Sequence, residues 1–283
     1  MTTAPSVRPF TSALSVEEFA ALRSVGYAPV GQVMGTAVYR MSRPSGGCGY
    51  RNRSDYYTFN NLGFYSPTGL AVTVEMPHRR ALLTQVRSRA IDRMRQECAA
   101  LGADGVVGVH LDVKRFVGRG LECIAIGTAV TAVDGRTRPA RPFTSDLSGQ
   151  DFTRLLLAGW RPVEFVVGLG VVIRHDDETR RFQQRSFRNQ ELYAPTALVG
   201  AARAAARRWL QDDARRGGGQ MVVVRDMALK VRKRRCFSTR DGGRDEIAEV
   251  VILGTAIARN DAGPAQPLGP LPILPLAERA RQT

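Results

Sequence analysis

Apolar and polar positions along this chain follow a helical period and an alternating period in turn, and the same succession occurs twice. Ser15 followed by Glu18 forms a capping-box pattern that starts a short helix, and Gly26 ends it. The stretch VGQVMGTAVYR (30–40) then reads as a strand. Beyond a long irregular stretch, Leu83, Val86, Ala90, Met94 and Leu101 fall on one stripe at helical spacing, which predicts a longer helix over roughly 79–101. Its opposite side carries Arg87, Arg89, Arg93 and Arg95 with Asp92 and Glu97, a mixture that reads as a solvated face. GADG (102–105) supplies a tight turn, VVGVHLDVK (106–114) alternates as a strand should, GRG (118–120) reverses the chain and LECIAIGTAV (121–130) returns.

The second succession begins with nearly the same words. RPFTSALS (8–15) reappears as RPFTSDLS (141–148), and LSVEEFAALRSVGYAPV (14–30) lies over LSGQDFTRLLLAGWRPV (147–163) without a gap. Phe19 falls on Phe152, Gly26 on Gly159 and Pro29 on Pro162, while Trp160 replaces Tyr27. The strand VEFVVGLGVVIR (163–174) follows, then a helix from about Thr196 to Arg216 that stops at GGG, then a closing ILGTAIARN (252–260) that matches AIGTAVTAV (125–133). Two copies of one unit explain this most simply. The expected organisation is therefore a first domain at 8–138, a second at 139–261 and a proline-rich tail at 262–283. Each domain is expected to be α+β: an N-terminal helix, then β-α-β-β, with one long helix covering one face of a small antiparallel sheet.

GQVMG, the helix leading into ALGADGVVGVHLDV, and the closing IAIGTAV resemble the YbjQ-like family of heavy-metal-binding domains. The resemblance spans roughly 25–131, and the second copy is diverged, with GGGQ where the first has GADG. It implies a dodecin-like subunit that assembles into small rings, pentamers in the family. No enzymatic reaction comes with it, and no metal-ligand motif that maps onto these residues.

Composition narrows the setting. The 283 residues are 43% hydrophobic and 24% charged, ordinary for a globular protein. The longest apolar run, VVILGTAIA (250–258), has the length of a buried strand, so no membrane partner is expected. MTTAPSVRPF lacks the apolar core of a signal peptide, and Cys48, Cys98, Cys123 and Cys236 form no CxxC pair, so a reducing cytoplasm is expected. The formal charge of +15 admits a nucleic acid or an acidic protein as partner, although it is nearly all arginine, as a GC-rich genome would produce.

Candidate chemistry is sparse. A hairpin centred near Val117–Gly118 would set Asp112 opposite Cys123 and His110 opposite Ala125, with Val109, Leu111, Val113, Ile124 and Ile126 on the face under the helix. His110, Asp112 and Cys123 would then share the other face and could converge on a zinc-like divalent metal. The alternative is that His110 and Asp112 are polar residues on a wet face and Cys123 a small buried hydrophobe. Tyr50, Tyr56, Tyr57, Phe59, Phe64 and Tyr65 crowd the irregular stretch 42–69 and suit an oligomer interface, base stacking or local packing. Lys230, Arg232, Lys233, Arg234 and Arg235 form the densest positive run, expected at the entry to the last hairpin turn, where it could contact a polyanion. No HExxH, GxSxG or phosphate-loop pattern occurs. The leading expectation is a non-enzymatic, ring-forming homo-oligomer that holds a metal or small ligand. The alternative is a polyanion-binding module.

Overall fold

The computed structural model describes residues 11–40, 73–118, 120–133, 140–175, 189–235 and 244–260. The elements run α1 (Val16–Ser24), β1 (Tyr27–Arg40), β2 (Thr73–Glu75), α2 (Pro77–Ala100), β3 (Gly105–Phe116), β4 (Gly120–Ala132), β5 (Phe143–Thr144), α3 (Gly149–Leu157), β6 (Trp160–His175), α4 (Tyr193–Arg216), β7 (Met221–Arg235) and β8 (Arg244–Arg259). The fold is α+β. One sheet has the order β1-β4-β3-β5 and the other β2-β6-β8-β7, antiparallel except where β5 joins β3.

Local chemistry explains the element ends. Ser15 accepts from the Glu18 amide while the Glu18 carboxylate accepts from the Ser15 amide, so α1 starts on a complete capping box. Gly26, with φ of 79°, carries the chain from α1 into β1 through a backbone region that side chains resist. α2 opens on Pro77 at its first turn, where the missing amide costs nothing. β1 is an edge strand, and α2 shields it: the Met34 amide donates to Glu97 at 2.7 Å, and Arg93 donates to the Thr36 carbonyl.

Each sheet has one long helix on it. Val86, Ala90, Met94 and Cys98 of α2 pack on Val33, Ala37, Cys123 and Ala125 of the first sheet. Leu198, Ala202, Ala206 and Leu210 of α4 pack on Val166, Val172, Val250 and Ile252 of the second. The helices sit close because a Cβ at Gly35 would run into the backbone of Ala90 and Met94, and one at Gly168 into Ala206.

The two units are not simply side by side. The face of the second sheet turned away from α4, carrying Phe165, Leu169, Val171 and Ile173, is buried against the first unit. Leu83 of α2 and Leu121 of β4 pack with Leu169, Val171 and Val251, while Val167 and Leu253 join the cluster that holds Leu111 and Val113. α2 thus occupies a corner, one stripe on its own sheet and the next toward the other. The expectation of a solvated arginine face holds for Arg89, Asp92, Arg93 and Glu97 but not for Arg87 and Arg95, which are buried there. β2, sequence-adjacent to α2, likewise pairs with β6 of the second sheet.

The recurring phrase has a structural job at each site. Ser12 hydrogen-bonds Thr128 at 3.4 Å, and Ser145 hydrogen-bonds Thr255 at 3.0 Å, each threonine being that of a GTA sequence. The second phrase also contributes β5, which lies parallel to β3 at Gly105–Val106. Thr144 then accepts from the Phe165 amide at 3.0 Å, so the phrase straps one sheet to the other.

Candidate functional site

The expected metal trio is not assembled. β3 and β4 meet in an odd-numbered turn, with Phe116 opposite Gly120, so Asp112 faces Ile124 and Cys123 faces Val113. The slip of one residue sends Cys123 to the opposite face from His110 and Asp112. Cys123 is buried in the core under α2, with its thiol pushed up to about 11 by burial, so it is no thiolate near neutral pH. Ile124 and Ile126, expected in the core, instead share the outer face with His110 and Asp112. Asp112 is already engaged: Lys114 donates to it at 2.7 Å and holds its carboxyl below the usual range. Among the described residues no group of three His, Cys, Asp or Glu side chains is placed to hold a metal ion. The described residues therefore do not fit a metal at this position.

The basic run closes β7, at the entry to the last connection as expected. Lys230, Arg232, Lys233 and Arg234 lie within β7, and Arg235 ends it. They meet acidic residues across the ladder on β8: Arg232 donates to Glu249 at 2.7 Å, Lys233 lies 3.8 Å from Glu246 and Arg234 3.4 Å from Asp245. Cross-strand pairing neutralises much of the run, and it also charges an edge strand, a common way to keep edges from pairing with other chains. The six aromatic residues Tyr50, Tyr56, Tyr57, Phe59, Phe64 and Tyr65 lie outside the described residues.

What the fold does build is the contact between the units. At its centre Arg87 donates to the Leu83 carbonyl at 3.0 Å. Burial lowers its guanidinium below the ordinary value, and the Glu249 carboxylate of the second sheet opposes that shift. Arg79 lies 3.6 Å from the same carboxylate. At the other end of α2, Arg95 donates to Glu164 at 2.7 Å and to Thr144 at 3.3 Å, and Arg141 also donates to Glu164 at 2.8 Å. Arginine suits such places because its planar fork bridges several acceptors at once. Beside this network is a cleft of about 320 Å³ lined by Tyr27, Asp104, Arg141, Arg161 and Glu164. Its carboxylates are already taken, Glu164 by the two arginines and Asp104 by Thr131 and the Ala132 amide. Among the described residues its lining holds no Ser, Thr, Cys, His or Lys. Arg87 and Arg95 were missed in the sequence because arginine on a helix face looks the same whether water or a carboxylate meets it.

Among the described residues no helix is long and apolar enough to cross a membrane.

Comparison with known proteins adds two findings. Residues 71–133 match a family described as "Putative heavy-metal-binding", the YbjQ family. Short segments resemble UPF0145 proteins: 48% identity over 50 residues with one from Halobacterium salinarum, covering 18% of this chain and 48% of that protein. One from Vibrio campbellii is 43% identical over 49 residues, covering 17% and 47% respectively. The encapsulin nanocompartment protein Rv1762c of Mycobacterium tuberculosis is 33% identical over 276 residues, which is 94% of this chain and 92% of that protein. Neither description names a reaction. With residues 71–133 matching the family model and nearly the whole length matching the mycobacterial protein, the chain belongs to the YbjQ-like family and to that of this nanocompartment protein.

Proposed function

We propose that this protein works by assembling with itself rather than by catalysis, as part of a protein compartment or of its contents. The observation that carries the reading is the near-full-length relationship to an encapsulin nanocompartment protein, which extends through both units and not only through the matched family segment. In this reading the chain is two tandem dodecin-like subunits, domains at 8–138 and 139–261, that together fill two positions of a ring. Several features support that: two helices of 24 residues each on a sheet, the paired Ser12–Thr128 and Ser145–Thr255 bonds, and the repeated RPFTS phrase.

A metal bound by His110, Asp112 and Cys123 forms no part of this reading, since the first two lie on the opposite face from the third. The polyanion alternative loses force for a similar reason, because the arginines and lysines of β7 meet carboxylates in their own sheet. The test is native mass spectrometry of untagged protein purified without chelator. A discrete oligomer is expected. A monomer at every concentration would overturn the reading.

A further inference from the structure

The contact between the two units has two sides, and each unit carries both. One side is the outer face of a sheet: in the second unit Val167, Leu169, Val171, Glu249, Val251 and Leu253. The other is the corner between a helix flank and the inner side of a hairpin: in the first unit Leu83 and Arg87 of α2 with Leu111 and Val113 of β3. Within the chain, the sheet face of the second unit fills the corner of the first. Among the described residues, that leaves the sheet face of the first unit and the corner of the second without a partner.

The positions correspond through the ladders. Val33 lies opposite Gly127 and Val166 opposite Gly254, both glycines of a GTA sequence, which puts Met34, Thr36 and Val38 where the second unit has Val167, Leu169 and Val171. In the same frame Glu122 stands where Glu249 does, each opposite a lysine, Lys114 and Lys230. α2 and α4 are of equal length, and Ala90 over Gly35 corresponds to Ala206 over Gly168, so Arg203 stands where Arg87 does. Met227 and Leu229 stand where Leu111 and Val113 do.

Both unmatched surfaces expose large apolar side chains. On the first sheet's outer face Met34 is 52% exposed and Val38 47%, and at the second unit's corner Met227 is 51%, Leu229 40% and Val231 48% exposed. Water rarely touches so many large apolar groups in one place without a purpose. Arg203 is also exposed, and Glu122 is half-buried beside Ile124 and Ile126.

The geometry points to a second copy of this chain as the occupant: its α4–β7 corner, with Arg203, Met227 and Leu229, docks on the open outer face of the first sheet, with Glu122, Met34 and Val38. Arg203 would meet Glu122 as Arg87 faces Glu249 within the chain. The contact is head-to-tail, so it propagates from copy to copy, closing into a ring or running on as a filament according to the rotation per step. This rests on the self-assembly reading and specifies its surface.

Charge exchange across the two positions tests it, read as mass in solution by light scattering and native mass spectrometry. Glu122→Arg and Arg203→Glu are each expected to weaken self-association about tenfold or more, because like charges then face one another. The double variant is expected to restore it. Mixing the two single variants is also expected to restore it, since copies can alternate. Met34→Lys, on the same face but outside the charge pair, is expected to weaken assembly as well, and circular dichroism checks that each variant remains folded. If wild type assembles and all the variants assemble equally well, this surface is wrong while self-assembly stands. If wild type is a monomer throughout, both fail.

Discussion

Two sheet faces built on the same frame have different fates in this protein. On the second sheet, Phe165, Leu169, Val171 and Ile173 are buried against the first unit, and the buried carboxylate of Glu249 on the same face meets Arg232 and Arg79, with Arg87 nearby. On the first sheet the corresponding strand presents Gln32, Met34, Thr36, Val38 and Arg40 to the surroundings. Along β6 the permanent face is wholly apolar from Phe165 to Ile173, while along β1 the open one interleaves apolar with polar residues. That is the difference between a domain interior and a surface that must remain soluble before it meets a partner. The comparison teaches that a shared backbone frame does not fix what a face is for. The residues alternate the same way on both; only their polarity says which face is closed within the chain.

The comparison can be broken most forcefully at its charged centre. Glu249→Ala should cost about 3 kcal/mol, because Arg79 and Arg87 lose their anion in a desolvated contact, whereas Glu122→Ala should leave the stability of a single chain within about 0.5 kcal/mol. Urea denaturation of the two variants under dilute conditions checks this, and equal costs would mean that the two faces are not different in kind. A smaller contrast is expected at the glycines under the helices. A methyl at Gly35 must push α2, which is packed in its corner against the second unit, but a methyl at Gly168 pushes α4, which beyond β6, β7 and β8 is tied through two side-chain contacts, Arg208 with Glu75 and Trp209 with Arg80. Gly35→Ala should therefore cost about 2 kcal/mol and Gly168→Ala about 1 kcal/mol, measured as shifts in the denaturation midpoint.

A further contrast concerns protons and shows only at alkaline pH. Cys98 and Cys123 both lie in the first unit's core, each thiol pushed up to about 11 by burial. The ordinary thiol value of 9.0 applies once the chain unfolds, so the unfolded state loses these protons first as pH rises. Their contribution to stability is complete below pH 9 and is lost on going up toward pH 11. Replacing both by alanine should flatten the decline of stability in that window, as read from denaturation curves taken at successive pH values. The second unit has Ala214 and Val250 in the matching places and should contribute nothing to the slope.

Much of the fold is legible along the chain because its cues are local. The capping box at Ser15 and Glu18, the apolar stripe of α2 and the alternation of β3 all depend on neighbours within a few residues, and all appear where expected. The register of the β3–β4 hairpin was less accessible. Reading its turn as even rather than odd moves every β4 side chain to the wrong face while leaving Val109, Leu111 and Val113 of β3 in the core, and this alone brought His110, Asp112 and Cys123 together. A bulge between Val107 and His110, where Gly108 adopts φ of 63°, then offsets the pairing nearer the strand's start. The corner occupied by α2 was not legible at all. It depends on residues far away in sequence, and the pairing of β2 with β6 or of Arg95 with Glu164 leaves no local trace.

The strap formed by the second RPFTS phrase has one more consequence. Phe143 and Thr144 hydrogen-bond along β3, Thr144 holds the Phe165 amide, and Ser145 holds Thr255. The segment that covalently joins the two halves is therefore also woven into both, and neither half has a clean seam at which to open. A fluctuation that frees this segment loosens the edge of one sheet and the start of β6 in the other at the same moment. The two-sheet architecture thus behaves as one cooperative body rather than as two beads on a string.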